Sequence, residues 1–179
     1  MEEARVFYSY SLLRPFQTFN KLHSGDGMNT KTKRQKVGQK GEDFIVKNMD
    51  CPQCKRSGTL KCLPANFKCA DIICDFCGFL AQVKTKTVKN IEKIPNSIPG
   101  AAWGPQKERM DAGIYFPLFI VLKTDTRRSS IFYLPVDYQD REIFVPRKKL
   151  SESARRAGWQ GYNFDLTKLT DEGVIRRLL

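Results

Sequence analysis

Residues 69–88, CADIICDFCGFLAQVKTKTV, decide how this chain is read. Two short apolar runs, NFKCADIIC and GFLAQVKTKTV, flank the knuckle DFCG, so the segment predicts two β-strands folding back on each other. Gly78 permits the tight turn just after the second cysteine. In an extended strand residues two apart share a face, so Gln82 and Lys84 point the same way, and the fold-back brings Asp71 beside them. An Asp on one strand with an amide or acidic residue and a Lys on the next suits a divalent cation held between phosphate and water, as in phosphodiester hydrolysis. The pattern D-x10-Q-x-K equally fits a plainer reading, with Asp71 as a strand-end residue and QVKTK as the exposed face of an edge strand kept soluble by lysines.

The knuckle has a partner upstream. Cys51 and Cys54 in CPQC with Cys74 and Cys77 in CDFC give C-x2-C-x19-C-x2-C, the spacing of a four-thiolate zinc site. In a reducing compartment paired cysteines serve as metal ligands more readily than as disulfides. Zinc at the turn would pin the register of the two strands, and a slip of one residue would turn every catalytic side chain to the wrong face. Cys62 and Cys69 fall outside this spacing and read as core residues. The single histidine, His23, lies in a polar stretch and reads as a bystander.

With 179 residues the chain supports one domain of ordinary size. Its 31 Lys plus Arg against 19 Asp plus Glu, a net +12, suit a polyanionic partner. No apolar run approaches the ~20 residues of a membrane span and the start carries no signal-peptide pattern, which predicts a soluble, cytoplasmic protein.

Residues 1–36, ending in MNTKTKRQK, predict a loose basic arm, with Met28 an alternative start, and residues 37–179 a single domain. VGQKGEDFIVKNM predicts an amphipathic helix over about 37–49 leading into CPQC. KNIEKIPNSIPGAAWG reads as a loop and PQKERMDAG as a short helix. IYFPLFIVLKT and SSIFYLPV read as strands, the first central in a sheet. PRKKLSESARRAGW has a helical look, ending at Gly158, and the tail holds a short strand and a turn or helix. The order predicts an α/β or α+β domain with a central mixed β-sheet flanked by helices.

At the residues quoted first, the chain resembles the DpnI and Dam-replacing family of restriction endonucleases, within the PD-(D/E)xK nuclease superfamily. The likeness runs through GEDFIVKNMDCPQC, ADIICDFCGFLAQVK, GAAWGPQKERMDAGIYFPLFIVL and LSESARRAGWQGYNFDL, roughly residues 41–166. It implies a restriction-endonuclease-like fold with an embedded zinc site, and a Mg2+-dependent endonuclease cutting double-stranded DNA at adenine-methylated GATC. The resemblance puts the family's metal-binding Asp at Asp71, its second metal-side position at Gln82, its Lys at Lys84 and an auxiliary acid at Glu42. The zinc cysteines fall on Cys51, Cys54, Cys74 and Cys77. Ala70 stands in place of the motif's Pro and Gln82 in place of its usual Glu. Members that read methylated DNA carry a C-terminal winged-helix domain, and the residues up to Leu179 leave no room for one.

Arg155, Arg156 and Trp159 in SARRAGW combine phosphate-seeking cations with an aromatic face suited to DNA, or else Trp159 anchors the segment while the arginines are solvated. Lys86, on the face of Lys84, and Lys89 would border the scissile phosphate, or are solvated lysines near a strand end. Two rival functions remain at this point. One is a zinc-stabilised DNA-binding protein with a silent nuclease site, which Gln82 favours; the other is a zinc-ribbon RNA-binding protein, which leaves D-x10-Q-x-K unexplained.

Overall fold

A computed structural model describes residues 32–179, apart from residues 65, 66, 68 and 127. Its elements are, in chain order, α1 (Lys33–Asn48), β1 (Leu60–Cys62), β2 (Ile72–Cys74), β3 (Leu80–Thr87), β4 (Ser97–Ala102), α2 (Trp103–Asp111), β5 (Leu118–Lys123), β6 (Ser129–Leu134), β7 (Phe144–Pro146), β8 (Gly161–Asp165), α3 (Thr167–Asp171) and β9 (Arg176–Arg177). The fold is mixed α+β around a mixed sheet. Six strands lie in the order β1-β2-β3-β5-β6-β9, with β3 and β5 parallel and the other neighbours antiparallel. A second sheet has the order β4-β8-β7.

The unbroken apolar run LFIVLK explains why β5 lies at the centre: a strand covered on both faces needs no polar alternation. Leu118, Ile120 and Leu122 join Phe144, Tyr162 and Phe164 of the smaller sheet in one core. Phe119 and Val121 turn the other way, into a core shared with Ile45 of α1 and with Ala81 and Val83 of β3.

Helix α1 starts at Lys33, four residues before the expected Val37. The reason is a capping box: Gln35 N–H donates to Thr32 Oγ1 at 3.3 Å, and Thr32 N–H donates to Gln35 Oε1 at 2.8 Å. Residues 32–36 therefore belong to the helix or its cap, whereas the rest of the expected arm, residues 1–31, lies outside the described residues. Within the helix, Gly41 sets the distance to the sheet. A Cβ there would lie 1.8 Å from Thr85 Oγ1 of β3. A helical glycine costs about 1 kcal/mol relative to alanine, but here it lets the helix backbone lie against the strand, and the next residue, Glu42, lines a cleft with Asp71.

Three expectations require correction. Residues 97–102, taken as loop, form β4, which pairs with β8. Pro99 lies on a strand at the edge of its sheet, where a missing N–H is tolerated, and Gly100 passes the Tyr162 ring so closely that a Cβ would come within 2.3 Å of Tyr162 Cε2. The Pro-Gly signals that looked like a loop mark an edge and a close approach. Residues 147–160, taken as largely helical, form no helix. They make an irregular excursion between β7 and β8, clasped by Arg147 N–H to Gly161 O at 2.8 Å and Leu150 N–H to Trp159 O at 2.9 Å. Most of this excursion is exposed, so the segment has no apolar stripe to bury, and capping residues alone do not hold a helix. Cys62 is also exposed, and Cys69 is only half-buried, so neither is the core residue expected.

Candidate active site and metal centre

Strand β2 pairs with β3 only at Ile72–Ala81 and Ile73–Leu80, whereas β3 runs on to Thr87. The β3 backbone is thus left without a β2 partner from Gln82 onward, and the Asp71 side chain supplies one: Val83 N–H donates to Asp71 Oδ2 at 2.7 Å. Lys84 Nζ lies 3.9 Å from the same oxygen, with the two side chains 16% and 28% exposed. That partial burial keeps the pair from full solvent screening while leaving it open to a ligand.

Alternation along β3 sorts the neighbours. Ala81, Val83 and Thr85 face α1, whereas Gln82, Lys84 and Lys86 face the smaller sheet. Gln82 is 5% exposed; burial, then the Cys69 charge, pushes the Tyr162 hydroxyl well above its ordinary range, an effect that nearby Gln82 opposes. The structure thus brings Lys84 within 3.9 Å of Asp71, with Gln82 two residues before Lys84 on the same strand. Glu42 shares a cleft of about 220 Å³ with Asp71. Gln39 Nε2 donates to Glu42 Oε2 at 3.4 Å and to Asp43 Oδ1 at 3.2 Å. Although Cys62 as a residue is exposed, partial desolvation of its thiol, then the carboxylates of Asp43 and Glu42, push it above its ordinary range, and Asp71 adds to them. Cys62 Sγ donates to Asp43 Oδ1 at 3.8 Å, a contact that nothing in the spacing of these residues marks.

The cysteines form the second centre. Cys51 and Cys54 follow α1, Cys74 ends β2 and Cys77 closes the turn into β3; their four sulfurs lie within 4.8 Å of one another. Sγ separations of 3.6 Å for Cys51–Cys77 and 3.7 Å for Cys54–Cys74 are far longer than a disulfide. They match the ~3.8 Å edge of a tetrahedron with Zn–S bonds of about 2.3 Å. The set therefore fits a metal ion such as zinc. Burial works against the Cys74 thiolate, yet contacts from the Thr59 hydroxyl and from the Cys77 and Phe76 N–H groups bring its thiol down to about 6.

The expected DNA-facing residues lie apart from these ligands. Arg155 and Arg156 are exposed on the β7–β8 excursion. The Arg156 guanidinium stacks 4.6 Å from the centre of the Trp159 ring, and that ring packs against Gly161, where a Cβ would come within 2.6 Å of it. Trp159 is thus anchored by the fold and covered by a cation at once. Lys89 is exposed just past β3. Lys86 Nζ donates to Ser97 O at 2.9 Å, tying β3 to β4, so one of its donors is already used.

A family profile described as DpnI: Dam-replacing family matches residues 21–178. The chain belongs to the DpnI / Dam-replacing family. The match runs across both cysteine pairs, the Asp71–Lys84 junction and the β7–β8 excursion, so every feature described above lies within it. Membership makes the chain a restriction-type endonuclease, a nuclease that binds DNA. No helix among the described residues is long and apolar enough to cross a membrane.

Proposed function

We propose that this chain hydrolyses phosphodiester bonds of double-stranded DNA at adenine-methylated GATC, with Mg2+ held by Asp71 and Gln82, Lys84 as the catalytic cation and Glu42 as an auxiliary acid. The observation that carries the proposal is the approach of Asp71 and Lys84 to 3.9 Å where β2 stops and β3 continues, with Gln82 two residues before Lys84 on β3. The donor set suits Mg2+, because hard oxygen ligands such as carboxylate and amide oxygen are what that ion takes. When bound, the ion would act as a Lewis acid on the phosphate and lower the pKa of a bound water.

The chain's own residues do the rest. Asp71, held by the Val83 N–H, presents carboxylate charge at a fixed point of the cleft. Lys84 balances that charge and stabilises the extra negative charge that develops on the phosphate in the transition state. Gln82 offers a neutral oxygen, so net negative charge at the site is lower than with a glutamate and less repulsive to DNA. Zinc on Cys51, Cys54, Cys74 and Cys77 is structural in this scheme, tying the end of α1 to the β2–β3 turn. Residues 37–179 form the nuclease domain, extended at its start by the first turn of α1.

Arg155, Arg156 and Trp159, with Lys89, are the proposed DNA contacts, and Arg147, Lys148 and Lys149 join them on the exposed excursion. That excursion leads directly into β8, which starts at Gly161. Contacts of this kind give salt-sensitive affinity and place the duplex without reading its sequence. Lys86 acts mainly as a tie between strands.

Zinc-loaded protein incubated in Mg2+ with two plasmids that differ only in adenine methylation tests the function. The methylated plasmid should be cut and the unmethylated one left intact. Cutting of both would withdraw the methyl specificity, and cutting of neither would favour a DNA-binding protein with a silent site.

A further inference from the structure

The two cysteine pairs end in the same turn. Lys55 N–H donates to Cys51 O at 2.9 Å and Gly78 N–H donates to Cys74 O at 3.0 Å, and both residues take left-handed backbone, with φ of 61° and 73°. Glycine adopts that conformation freely, whereas a residue with a Cβ is strained there. The second turn has the glycine. The first has a lysine instead, followed by Arg56, so a cation stands at this corner against the preference of the backbone, and strain of that kind points to a use for the side chain.

Arg56 is held in a way that leaves its donors open. Its guanidinium lies 3.6 Å from the centre of the Phe76 ring, which belongs to the second cysteine turn and is 55% exposed. A guanidinium stacked on a ring keeps its in-plane N–H fork for a phosphate. Lys55 and Arg56 are exposed, and among the described residues neither forms an ion pair. Asp75, the acid beside Phe76, is paired with Lys61 at 3.7 Å.

Strand β1 leads from this corner to the cleft: Leu60 pairs with Cys74, and Leu63, just past the strand, lines the cleft with Asp71 and Glu42. The extended backbone from Asp71 to Cys74 covers about 10 Å at a rise of about 3.3 Å per residue. Duplex DNA advances about 3.4 Å per base pair. A duplex with its scissile phosphate at Asp71 therefore comes level with the cysteine corner roughly three to five base pairs away.

We propose that Lys55 and Arg56 grip backbone phosphates on one flank of the scissile bond, with Phe76 holding the Arg56 guanidinium in place; this rests on the scissile phosphate lying at Asp71. The zinc cluster is then the platform of a DNA contact as well as a tie between elements.

The test is fluorescence anisotropy of zinc-loaded protein on a methylated GATC duplex in Ca2+, over a series of salt concentrations. Lys55→Gly should keep its zinc and melt no lower than the parent, since the turn gains the residue it favours, yet bind DNA more weakly. Lys55→Gly and Arg56→Ala should each lower the slope of log K against log salt by about one, and the double variant by about two. Lys168→Ala, which removes a cation from an acidic cavity lined by Asp137, Asp140 and Glu142, should leave the slope unchanged. Phe76→Leu should weaken binding in the parent and have no effect in Arg56→Ala. A single uncharged methylphosphonate, moved along the duplex, should weaken the parent but not the double variant at a position roughly three to five base pairs from the cut. A double variant with the parental slope would overturn the proposal, and so would loss of zinc in Lys55→Gly, which would make that lysine structural. If the methylated plasmid is cut normally in either case, only the corner contact is wrong. A phosphate that is silent in the double variant but lies outside that window would instead withdraw the placement of the scissile phosphate at Asp71, and the proposed flank with it.

Discussion

Lys84→Ala should lower the single-turnover rate of DNA cleavage by about 10²–10³-fold or more, the cost of removing one fixed charge aimed at a transition state. The fold should survive. Lys84 lies on the face of β3 that looks toward the smaller sheet, makes one ion pair, with Asp71, and belongs to neither apolar core. Asp71 keeps its hydrogen bond from Val83 N–H, so the junction of β2 and β3 stays closed. DNA affinity should fall little, because one of 31 basic residues is lost. Rates on a methylated duplex, measured beside zinc content and far-ultraviolet circular dichroism, check this. A Lys84→Ala protein that cuts at the parental rate would remove Lys84 from the chemistry.

Cys74→Ser should have the opposite profile, a loss of structure first and of activity as its consequence. Cys74 is both a cluster sulfur and the last residue of β2, paired with Leu60 of β1. Structural zinc contributes roughly 10–16 kcal/mol of apparent binding free energy, whereas a whole domain is stable by about 5–15 kcal/mol. Losing one thiolate therefore removes a term as large as the net stability. The variant should lose close to one equivalent of zinc and much of its circular dichroism signal, and a chelator should do the same to the parent. A well-folded Cys74→Ser protein with a full equivalent of zinc would exclude a structural role for this site.

Features set by short-range spacing could be read in advance. The two C-x-x-C pairs needed only a chain reversal to meet, and Gln82 with Lys84 needed only an extended strand; both conditions hold, and LFIVLK announced its central position by having no polar alternation. The start of α1 was also legible, as T-x-x-Q from Thr32 to Gln35, but the basic residues around it drew attention to charge instead of capping. Pro99 and Gly100 disguised β4, because the same residues that break a loop also suit an edge strand lying against an aromatic ring. At PRKKLSESARRAGW, Ser151 and Gly158 marked helix ends with no buried face between them. The buried hydrogen bond from the Tyr162 hydroxyl to Gln106 had no sequence signal at all: the two residues stand 56 apart in the numbering, and only the packing of β8 with α2 brings them together.

The position of the catalytic cation can be mapped directly. With the cysteine site filled by zinc, Fe2+ in place of Mg2+, given ascorbate and peroxide, generates radicals that cut the polypeptide beside the bound ion, and mass spectrometry of the fragments locates the cuts. Cuts close to residues 71 and 82, with a weaker set near Glu42, all lost in Asp71→Ala, are the expected result. Cuts confined to other parts of the chain, or a pattern unchanged in Asp71→Ala, would contradict the assignment of Asp71 and Gln82 as its ligands.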